Sequence, residues 1–302
     1  MINPTYFYMF WNVIKMSRND ESFQVSSEEF KNRIREHWSR PEARDPNTSR
    51  FGTVSEIAAW KRFFSNEFGD TKLKILDVGT GTGFLSISLA ELGHEVVGID
   101  LAEGMISSAR KIANERGLDI DLVIGDAESL DFVDESFDAV VSRWVLWTLP
   151  HPEKAIREWM RVLRPGGRAY EFGISLSSEK NSGFCRQIRR HLGLFLIMVV
   201  EQRYPREIRQ RYGKDLDGKR LEGKLPLHYV KPDSNTREIE FFETYGFVDI
   251  TTMQMEEVDI HRTKQDGKPL RYKLAWGDYN KSRTYCLSGS KPVSDRRWQE
   301  SG

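Results

Sequence analysis

Short apolar runs alternate with amphipathic segments along the middle of the chain. From Lys72 onward, the runs KILDV, EVVGI, IDLVI, FDAVVS and RAYEFG have the apolar, β-branched character of buried strands, and the segments between them carry apolar residues at helical spacing. Strands that alternate with helices in this way form parallel sheets. The pattern therefore predicts an α/β fold whose first five strands follow one another without interruption.

Helical segments flank and interrupt this pattern. Residues 28–68 predict two helices before the first strand, which we expect to cap the sheet. Residues 175–234 are helical and arginine-rich, after which TREIEFFETYG, FVDITTMQME and RTYCLSG restore helix, strand and strand. We therefore predict one doubly wound, Rossmann-like domain over 28–290, with N-terminal cap helices and a helical insert after the fifth strand. Residues 1–27 and 291–302 are predicted to be poorly ordered tails.

Composition narrows the class of protein. The 302 residues are 39% hydrophobic, and 45 Lys+Arg balance 45 Asp+Glu, which argues against a highly basic nucleic-acid coat protein and an acidic disordered chain. The two cysteines, Cys185 and Cys286, make no disulfide framework or Cys-rich zinc site, and we expect no metal. The longest apolar run, 192–200, is short for a membrane span. The first residues fit a signal peptide poorly, Met16 is an alternative start, and we expect the cytoplasm.

A glycine-rich turn joins the first strand to the next helix, in the sequence LDVGTGTG from residue 76. Glycines let the backbone turn tightly and approach a ligand. A dinucleotide-binding fingerprint would place its third glycine at position 84, but that residue is Phe84 and the third glycine is Gly83. The crowded glycines, with Asp77 two positions before the first of them, favour a ligand that lies across the loop by an amino-acid part.

Two carboxylates follow at the same predicted edge of the sheet. Asp100 closes the second strand, where it can accept hydrogen bonds from both hydroxyls of a ribose. Asp126 follows the third strand and can accept from the amino group of an adenine. Adenosine fits both positions. In the competing interpretation the glycines serve only packing, and Asp100 caps the helix that begins near Ala102.

With these residues in view, the chain resembles the class I S-adenosylmethionine-dependent methyltransferases, in the branch of the ubiquinone and menaquinone C-methyltransferases. The segments ILDVGTGTG, VVGID, GDAESLDFVDESFDAVVS and HPEKAIREWMRVLRPGGR follow that family's order and spacing between about residues 73 and 173. The resemblance implies a seven-stranded sheet whose last strand is antiparallel, and S-adenosyl-L-methionine as cofactor.

The resemblance also implies roles for individual residues. The methionine part would be held by Gly79, Thr80, Gly81 and Gly83, the ribose by Asp100, and the adenine by Asp126 and Ala127, with Leu101 and Met105 beside the ring. Asp77 and Ser142 complete the predicted cofactor-binding set. A methionine in an amphipathic helix is also an ordinary core residue, so two interpretations of Met105 stand.

The acceptor of the methyl group is less clearly marked. A sulfonium methyl is already activated, so holding the nucleophile in line is the main requirement. The segment SRWV after the fourth strand lacks the Pro-Pro-aromatic motif of enzymes that methylate amino groups of DNA bases or protein glutamine, which favours a small molecule. Candidate catalytic residues are His151, in the loop after that strand, and Glu171 and Tyr170, which alternate faces on the fifth strand. A histidine that begins the next helix is the competing interpretation of His151.

Charge is distributed unevenly. Residues 186–220 carry ten Lys+Arg against four Asp+Glu, whereas residues 117–138 carry eight acidic residues and no basic ones. A basic cap favours an anionic acceptor or, in a rival interpretation, an RNA backbone, and a solvated helical face explains the same pattern. We predict methyl transfer from S-adenosylmethionine to a small molecule. The alternatives are an RNA (tRNA) methyltransferase and a non-catalytic module that binds the cofactor. Nothing in the sequence defines an oligomeric state.

Overall fold

The structure, a computed structural model, describes residues 26–39, 54–176, 236–264 and 282–293. The strands in chain order are β1 (Lys74–Val78), β2 (Glu95–Asp100), β3 (Asp121–Ile124), β4 (Phe137–Arg143), β5 (Leu163–Leu176), β6 (Val248–Gln254) and β7 (Ser282–Ser290). The helices are α1 (Ser27–Ser39), α2 (Val54–Phe68), α3 (Phe84–Ala90), α4 (Glu103–Glu115), α5 (Pro152–Val162), α6 (Thr236–Thr244) and α7 (Glu256–Lys264). Our predictions for the first 25 residues, for Cys185 and for nearly all of the insert lie outside the described residues.

The seven strands form one sheet in the order β3-β2-β1-β4-β5-β7-β6. Strands β1 to β5 pair in parallel, and β7 runs antiparallel to both β5 and β6. The predicted α/β fold and the single antiparallel last strand are thereby confirmed. The strand order reverses between β1 and β4, and at such a point the diverging loops leave a crevice outside the carboxyl ends of the strands.

Helices cover both faces of the central part of the sheet, which explains why β1, β2 and β4 are buried along most of their length. On one face Ile156 and Trp159 of α5 pack with Phe242 of α6 against the sheet, and all three side chains are fully buried. On the other face Trp60 and Phe64 of α2 are equally buried. The two rings lie 6.0 Å apart, and Trp60 makes an edge contact with Phe172 of β5. The sheet is therefore a rigid platform for the loops at its edge.

Strand β5 is longer than the sequence pattern indicates. Its pairing with β4 ends at Arg143 and Phe172, but it remains paired with β7 as far as Leu176 and Ser282. A two-stranded ribbon therefore projects past the carboxyl end of β4.

Helix α7 was not predicted. Its sequence EEVDIHRTK is polar, and its buried apolar side chain is Val258. The helix packs beside α2, and its Asp259 accepts hydrogen bonds from the backbone and hydroxyl of Thr284 at 2.8–3.0 Å. Tertiary contacts therefore stabilise a segment whose own pattern is weak.

The described structure includes residues next to both predicted domain boundaries, and the boundaries themselves stay a prediction. Ser27, placed in the N-terminal tail, begins α1. Lys291, placed in the C-terminal tail, exchanges backbone hydrogen bonds with Gly166 and Gly167, and its ammonium donates to the carbonyl oxygen of Leu163 at 2.8 Å. Among the helices in the described ranges, none has the length and apolar content needed to cross a membrane.

Candidate active site

The glycine loop lies between β1 and α3, at the crevice where the strand order reverses. Gly79 and Gly81 have φ angles of +69° and +57°, which favour glycine. A Cβ on Gly79 would overlap Cγ2 of Val145, because the loop after β4 packs directly against it. A Cβ on Gly81 would meet no atom within 4 Å. The loop is thus fixed on one side and open on the other, as a ligand cradle requires.

Asp77 is buried beneath this loop. Its Oδ2 accepts hydrogen bonds from the backbone N–H of Ser86 at 3.0 Å and from the Ser86 hydroxyl at 2.7 Å, and that hydroxyl lies 2.8 Å from Thr80 Oγ1. Burial raises the pKa of Asp77, and the bonds from Thr80 and Ser86 oppose this effect. With 1% of its surface exposed, Asp77 braces the loop from below and does not face a ligand directly.

Asp100 ties the loop to the neighbouring strand. Its Oδ2 accepts from the N–H of Gly81 at 2.9 Å, and its Oδ1 accepts from the N–H of Ala102 at 2.8 Å, at the start of α4. Burial raises the pKa of Asp100 to about 6, although both backbone bonds favour the charged form. Ala102 is the residue before the first turn of α4, and no side chain caps this helix, so Asp100 fixes the entry to α4 without capping it. Each oxygen keeps a lone pair that could accept a further hydrogen bond.

Asp126 lies at the same edge and is held by a residue of the cap helix. Its Oδ1 accepts from the N–H of Glu128 at 2.9 Å, and its Oδ2 lies 2.6 Å from Nζ of Lys31 in α1. The same ammonium lies 2.7 Å from Oε2 of Glu128. Burial by itself would lower the pKa of Lys31, but its hydrogen bonds to Asp126 and Glu128 outweigh this effect and raise the pKa.

The residues expected beside an adenine ring form a small apolar cluster. Met105 is 3% exposed and packs with Ala102 and with Trp38 of α1. Ala127 is 8% exposed, and Leu101 is partly buried. Helix α1 thus reaches both the loop after β2 and the loop after β3.

At the end of β4, the guanidinium of an arginine lies close to aromatic side chains. The Arg143 guanidinium lies 3.9 Å from the centroid of the Phe84 ring and 4.5 Å from that of Trp144. Trp144 has a φ of +63°, an unfavourable value for a side chain of this size. Ser142, expected to contact the cofactor, is fully buried below this group.

His151 immediately precedes α5, which agrees with the interpretation of this residue as a histidine that begins the next helix. Its backbone N–H donates to Oε1 of Glu128 at 2.6 Å. Its ring bonds through Nε2 with the Ser27 hydroxyl at 2.8 Å, and Nδ1 lies 3.3 Å from the Glu153 carboxylate. Its side chain is 35% exposed. His151 therefore lies at the cofactor edge but takes part in holding α1.

Glu171 and Tyr170 point to opposite faces of β5, as predicted, but both are buried. Tyr170 packs under α2, where its hydroxyl donates to Glu67 at 3.3 Å, so the structure does not bring it to the site. Burial, and then the charge of Glu238, raise the pKa of Glu171 well above its ordinary value, whereas Ser142 lowers it. Neither Ser142 Oγ nor Glu171 Oε2 has a hydrogen-bond partner of normal geometry among the described residues. Both side chains are buried in the ligand-free structure, and their contact with a substrate stays a prediction.

The residues at this edge fit an adenosyl sulfonium ligand. The open side of Gly81 provides a cradle that a side chain would fill, and Asp100 lies directly against it. Three carboxylates, Asp100, Asp126 and Glu128, line the edge, and Asp77 lies below. This excess of negative charge favours a positively charged sulfonium. The seven-stranded sheet, the glycine loop and the two carboxylates after β2 and β3 are the features that the resemblance to the class I S-adenosylmethionine-dependent methyltransferases implies.

Comparison with known proteins agrees. Residues 76–170 match a family described as a methyltransferase domain. The demethylmenaquinone methyltransferase of Renibacterium salmoninarum is 37% identical over 117 residues, which cover 38% of this chain and 48% of that protein. The phosphatidylethanolamine N-methyltransferase of Cereibacter sphaeroides is 42% identical over 119 residues, 39% of this chain and 57% of that protein. The chain spans about half the length of the curated relatives it matches.

A solved structure extends the comparison to the fold. The phosphoethanolamine N-methyltransferase 2 of Haemonchus contortus, in complex with phosphomonomethylethanolamine and S-adenosylhomocysteine, aligns with 86% of this chain and 60% of its own, at a TM-score of 0.53 and 17% identity. At this identity the likeness shows the fold alone. Residues 76–170 thus match a methyltransferase domain, and this part of the chain is similar to enzymes named as demethylmenaquinone and phosphatidylethanolamine methyltransferases. These similarities support S-adenosylmethionine as the cofactor.

Sequence reasoning missed three residues of this edge: Lys31, Glu128 and Arg143. Lys31 contacts a residue 95 positions away, and no pattern in α1 distinguishes it from its exposed neighbours. Glu128 had a faint signal, since it follows Asp126 in the segment GDAES. Arg143 entered the sequence analysis only as part of the segment SRWV, which lacks the Pro-Pro-aromatic motif.

Proposed function

We propose that this chain binds S-adenosylmethionine and transfers its methyl group to a small-molecule acceptor. The observation that carries the proposal is the hydrogen bond from the Gly81 N–H to Asp100 Oδ2, which joins the open glycine cradle to the carboxylate expected to bind a ribose.

The proposed contacts follow the sequence expectations, with adjustments. Backbone groups of Gly79, Thr80, Gly81 and Gly83 hold the methionine part, Asp100 accepts from the ribose, and Asp126 with Ala127 contacts the adenine. Leu101 and Met105 flank the ring. Asp77 and Ser142 are buried, so we assign them to support of the loop and of the β4 end.

Catalysis in this proposal depends on positioning. The cofactor, when bound, supplies an activated methyl group, and the protein holds the acceptor in line with it and excludes water. His151 is the candidate base with an accessible side chain. The raised pKa of Glu171 favours its neutral carboxyl, which can donate a proton or a hydrogen bond but cannot act as a base.

We further propose that the acceptor carries an anionic group. Support comes from Arg143, whose guanidinium lies over the rings of Phe84 and Trp144 at the end of β4. Related proteins are named for different substrates, among them demethylmenaquinone and phosphatidylethanolamine, so the comparisons give no single acceptor. No observation favours RNA over a small molecule. The alternative is a non-catalytic module that binds the cofactor. A turnover assay distinguishes such a module from an enzyme.

The proposed location is the cytoplasm. The proposal rests on the cysteine content, and the similarity to enzymes of quinone biosynthesis agrees with it.

Binding is tested by calorimetry with S-adenosylhomocysteine. Asp100→Ala should weaken binding about 10- to 150-fold through loss of the ribose bonds. Asp121→Ala is the matched control, because Asp121 is an exposed aspartate at the opposite end of the neighbouring strand β3. Equal affinities of the two variants, or preferential binding of a nicotinamide dinucleotide, would refute the assignment.

Turnover is tested separately. The protein is incubated with methyl-labelled cofactor and a small-molecule extract, and mass spectrometry identifies compounds that gain the label. Tight cofactor binding without any labelled product, across quinone, amine and carboxylate acceptors, would favour the binding module. Labelled RNA would favour the RNA alternative.

A further inference from the structure

Lys31 links the N-terminal cap helix to the carboxylate proposed to read the adenine. Its ammonium lies within 2.6 Å of Asp126 and 2.7 Å of Glu128, and its side chain is 14% exposed. The Glu128 side chain is 2% exposed. One cation thus bridges two adjacent carboxylates, one of them buried, and the group of three keeps one net negative charge. Without the ammonium, the two like charges would repel each other and Asp126 Oδ2 would lose the partner that holds it.

This ion pair fixes the direction of the Asp126 carboxylate. Oδ2 is held by Lys31 and Oδ1 by the Glu128 N–H, and the backbone of the same turn closes on Ser129. The side chain of Asp126 remains 29% exposed, so an outer face is left for a ligand. An ionised and oriented carboxylate is the acceptor that an amino group needs.

Helix α1 contacts the loops after three different strands. Lys31 reaches the loop after β3, Trp38 packs on Ala102 and Met105 after β2, and Ser27 bonds with His151 after β4. Each of these loops carries a residue proposed for the cofactor or the acceptor. The helix therefore lies along the same edge that the cofactor would occupy.

We propose that Lys31 is a positioning residue that orients Asp126 toward the adenine amino group and couples cofactor binding to the docking of α1. The inference rests on the proposed function. It predicts that removal of the lysine charge weakens recognition of the amino group specifically, and that it releases α1 from the cofactor-bound protein.

The test compares two ligands in three variants. S-adenosylhomocysteine carries the amino group, and S-inosylhomocysteine replaces it with a carbonyl oxygen. Lys31→Met removes the charge, Lys31→Arg retains it, and Arg33→Met is the control, since Arg33 lies in the same helix and forms an exposed ion pair with Glu29. Calorimetry measures the affinities, and thermal melting confirms that each variant folds.

The adenosyl ligand should bind the wild type about tenfold or more tightly than the inosyl ligand. In Lys31→Met this preference should fall to about threefold or less, chiefly through weaker binding of the adenosyl ligand, and Lys31→Arg should recover most of it. Hydrogen exchange of residues 27–39 should slow on cofactor binding in the wild type and in Arg33→Met, but not in Lys31→Met.

Three results would overturn the inference. Lys31→Met could match Arg33→Met in both measurements, which would show that the lysine has no role. Both ligands could lose affinity equally, which would show only a structural role. If Lys31→Met fails to fold, an unchanged preference in Lys31→Gln with normal melting would also overturn it. Failure of the wild type to bind either ligand would instead refute the proposed function itself.

Discussion

The N–H of Gly81 donates a hydrogen bond of 2.9 Å to Asp100 Oδ2, so the glycine loop is fastened to the end of β2 through the carboxylate expected to bind a ribose. The second oxygen of Asp100 accepts from Ala102 at the start of α4. A change in the charge of this one side chain therefore affects the loop, the helix and the ligand together.

We expect cofactor affinity to depend on pH through Asp100. Burial raises its pKa to about 6, above the unfolded value, so the neutral form prevails below that pH. Because ribose hydroxyls donate to the charged form, affinity should fall about tenfold per pH unit on the acid side of about pH 6 and level off above it. Calorimetry between about pH 5 and pH 8 measures this. Asp100→Asn should bind weakly with no such dependence, and a wild-type affinity independent of pH would contradict the prediction.

The stability of the ligand-free protein should change in the opposite sense. A carboxyl group whose pKa is raised on folding contributes stability that is present below its unfolded pKa and is lost as the pH rises through about 6. Melting curves of the wild type and Asp100→Asn should therefore show a difference in melting temperature that shifts in favour of the variant as the pH rises. A constant difference would mean that Asp100 does not titrate in this range.

Alanine at Gly79 and at Gly81 should have different consequences. A Cβ at position 79 overlaps Val145, so Gly79→Ala should cost about 2–4 kcal/mol of folding stability from overlap and backbone strain. Gly81→Ala meets no atom and should cost about 1–2 kcal/mol, while cofactor affinity falls because the methyl group enters the cradle. Chemical denaturation and calorimetry measure the two effects.

A double-mutant cycle tests whether overlap with Val145 contributes to the loss of stability in Gly79→Ala. Val145→Ala removes the overlapping Cγ atoms, so it should restore about 1–2 kcal/mol to Gly79→Ala and nothing to Gly81→Ala. Additive effects of Val145→Ala and Gly79→Ala would show that backbone strain alone accounts for the loss.

Glu171→Gln should stabilise the protein at alkaline pH. The pKa of Glu171 is raised, so its contribution to stability is present at low pH and is lost when a high pH forces the buried carboxyl to ionise beside Glu238. The amide cannot ionise and keeps nearly the same volume. The difference between the denaturant midpoints should move steadily in favour of the variant as the pH rises from the acid to the alkaline range. If methyl transfer is lost in Glu171→Gln while stability is retained, the carboxyl proton takes part in catalysis.

Arg143→Met should separate acceptor binding from cofactor binding. Removal of the guanidinium should raise the KM of an anionic acceptor about tenfold or more and leave cofactor affinity within about threefold. Arg164→Met is the control, because Arg164 forms an exposed ion pair with Asp138. An acceptor KM that stays unchanged would refute the anionic acceptor.

The sequence predicts the sheet well because its strands are short, apolar and separated by clear turns. It also placed Tyr170 and Glu171 on opposite faces, since alternation along a strand is geometric. The sequence did not predict the roles of residues that depend on tertiary contacts. Asp77 carries the type and spacing of a ligand-binding residue, yet Ser86 engages it below the loop. The contact of Lys31 with Asp126 depends on how α1 docks, which local patterns do not encode.

The ribbon formed by β5 and β7 suggests that substrate choice and cofactor binding are modular. It continues four residues past the last pair of β4, which at roughly 3.3 Å per residue is about 13 Å. The chain leaves it at Leu176 and returns at Ser282, side by side, whereas the proposed cofactor contacts belong to loops after β1, β2 and β3. The elements α6, β6 and α7 lie between these two residues and belong to the sheet and its core, so they have to be kept. The remaining sequence, 177–235 and 265–281, can vary without changing the loops after β1, β2 and β3. One cofactor platform could thereby be reused for unrelated acceptors, and exchange of these two segments between relatives is a natural way to exchange specificity.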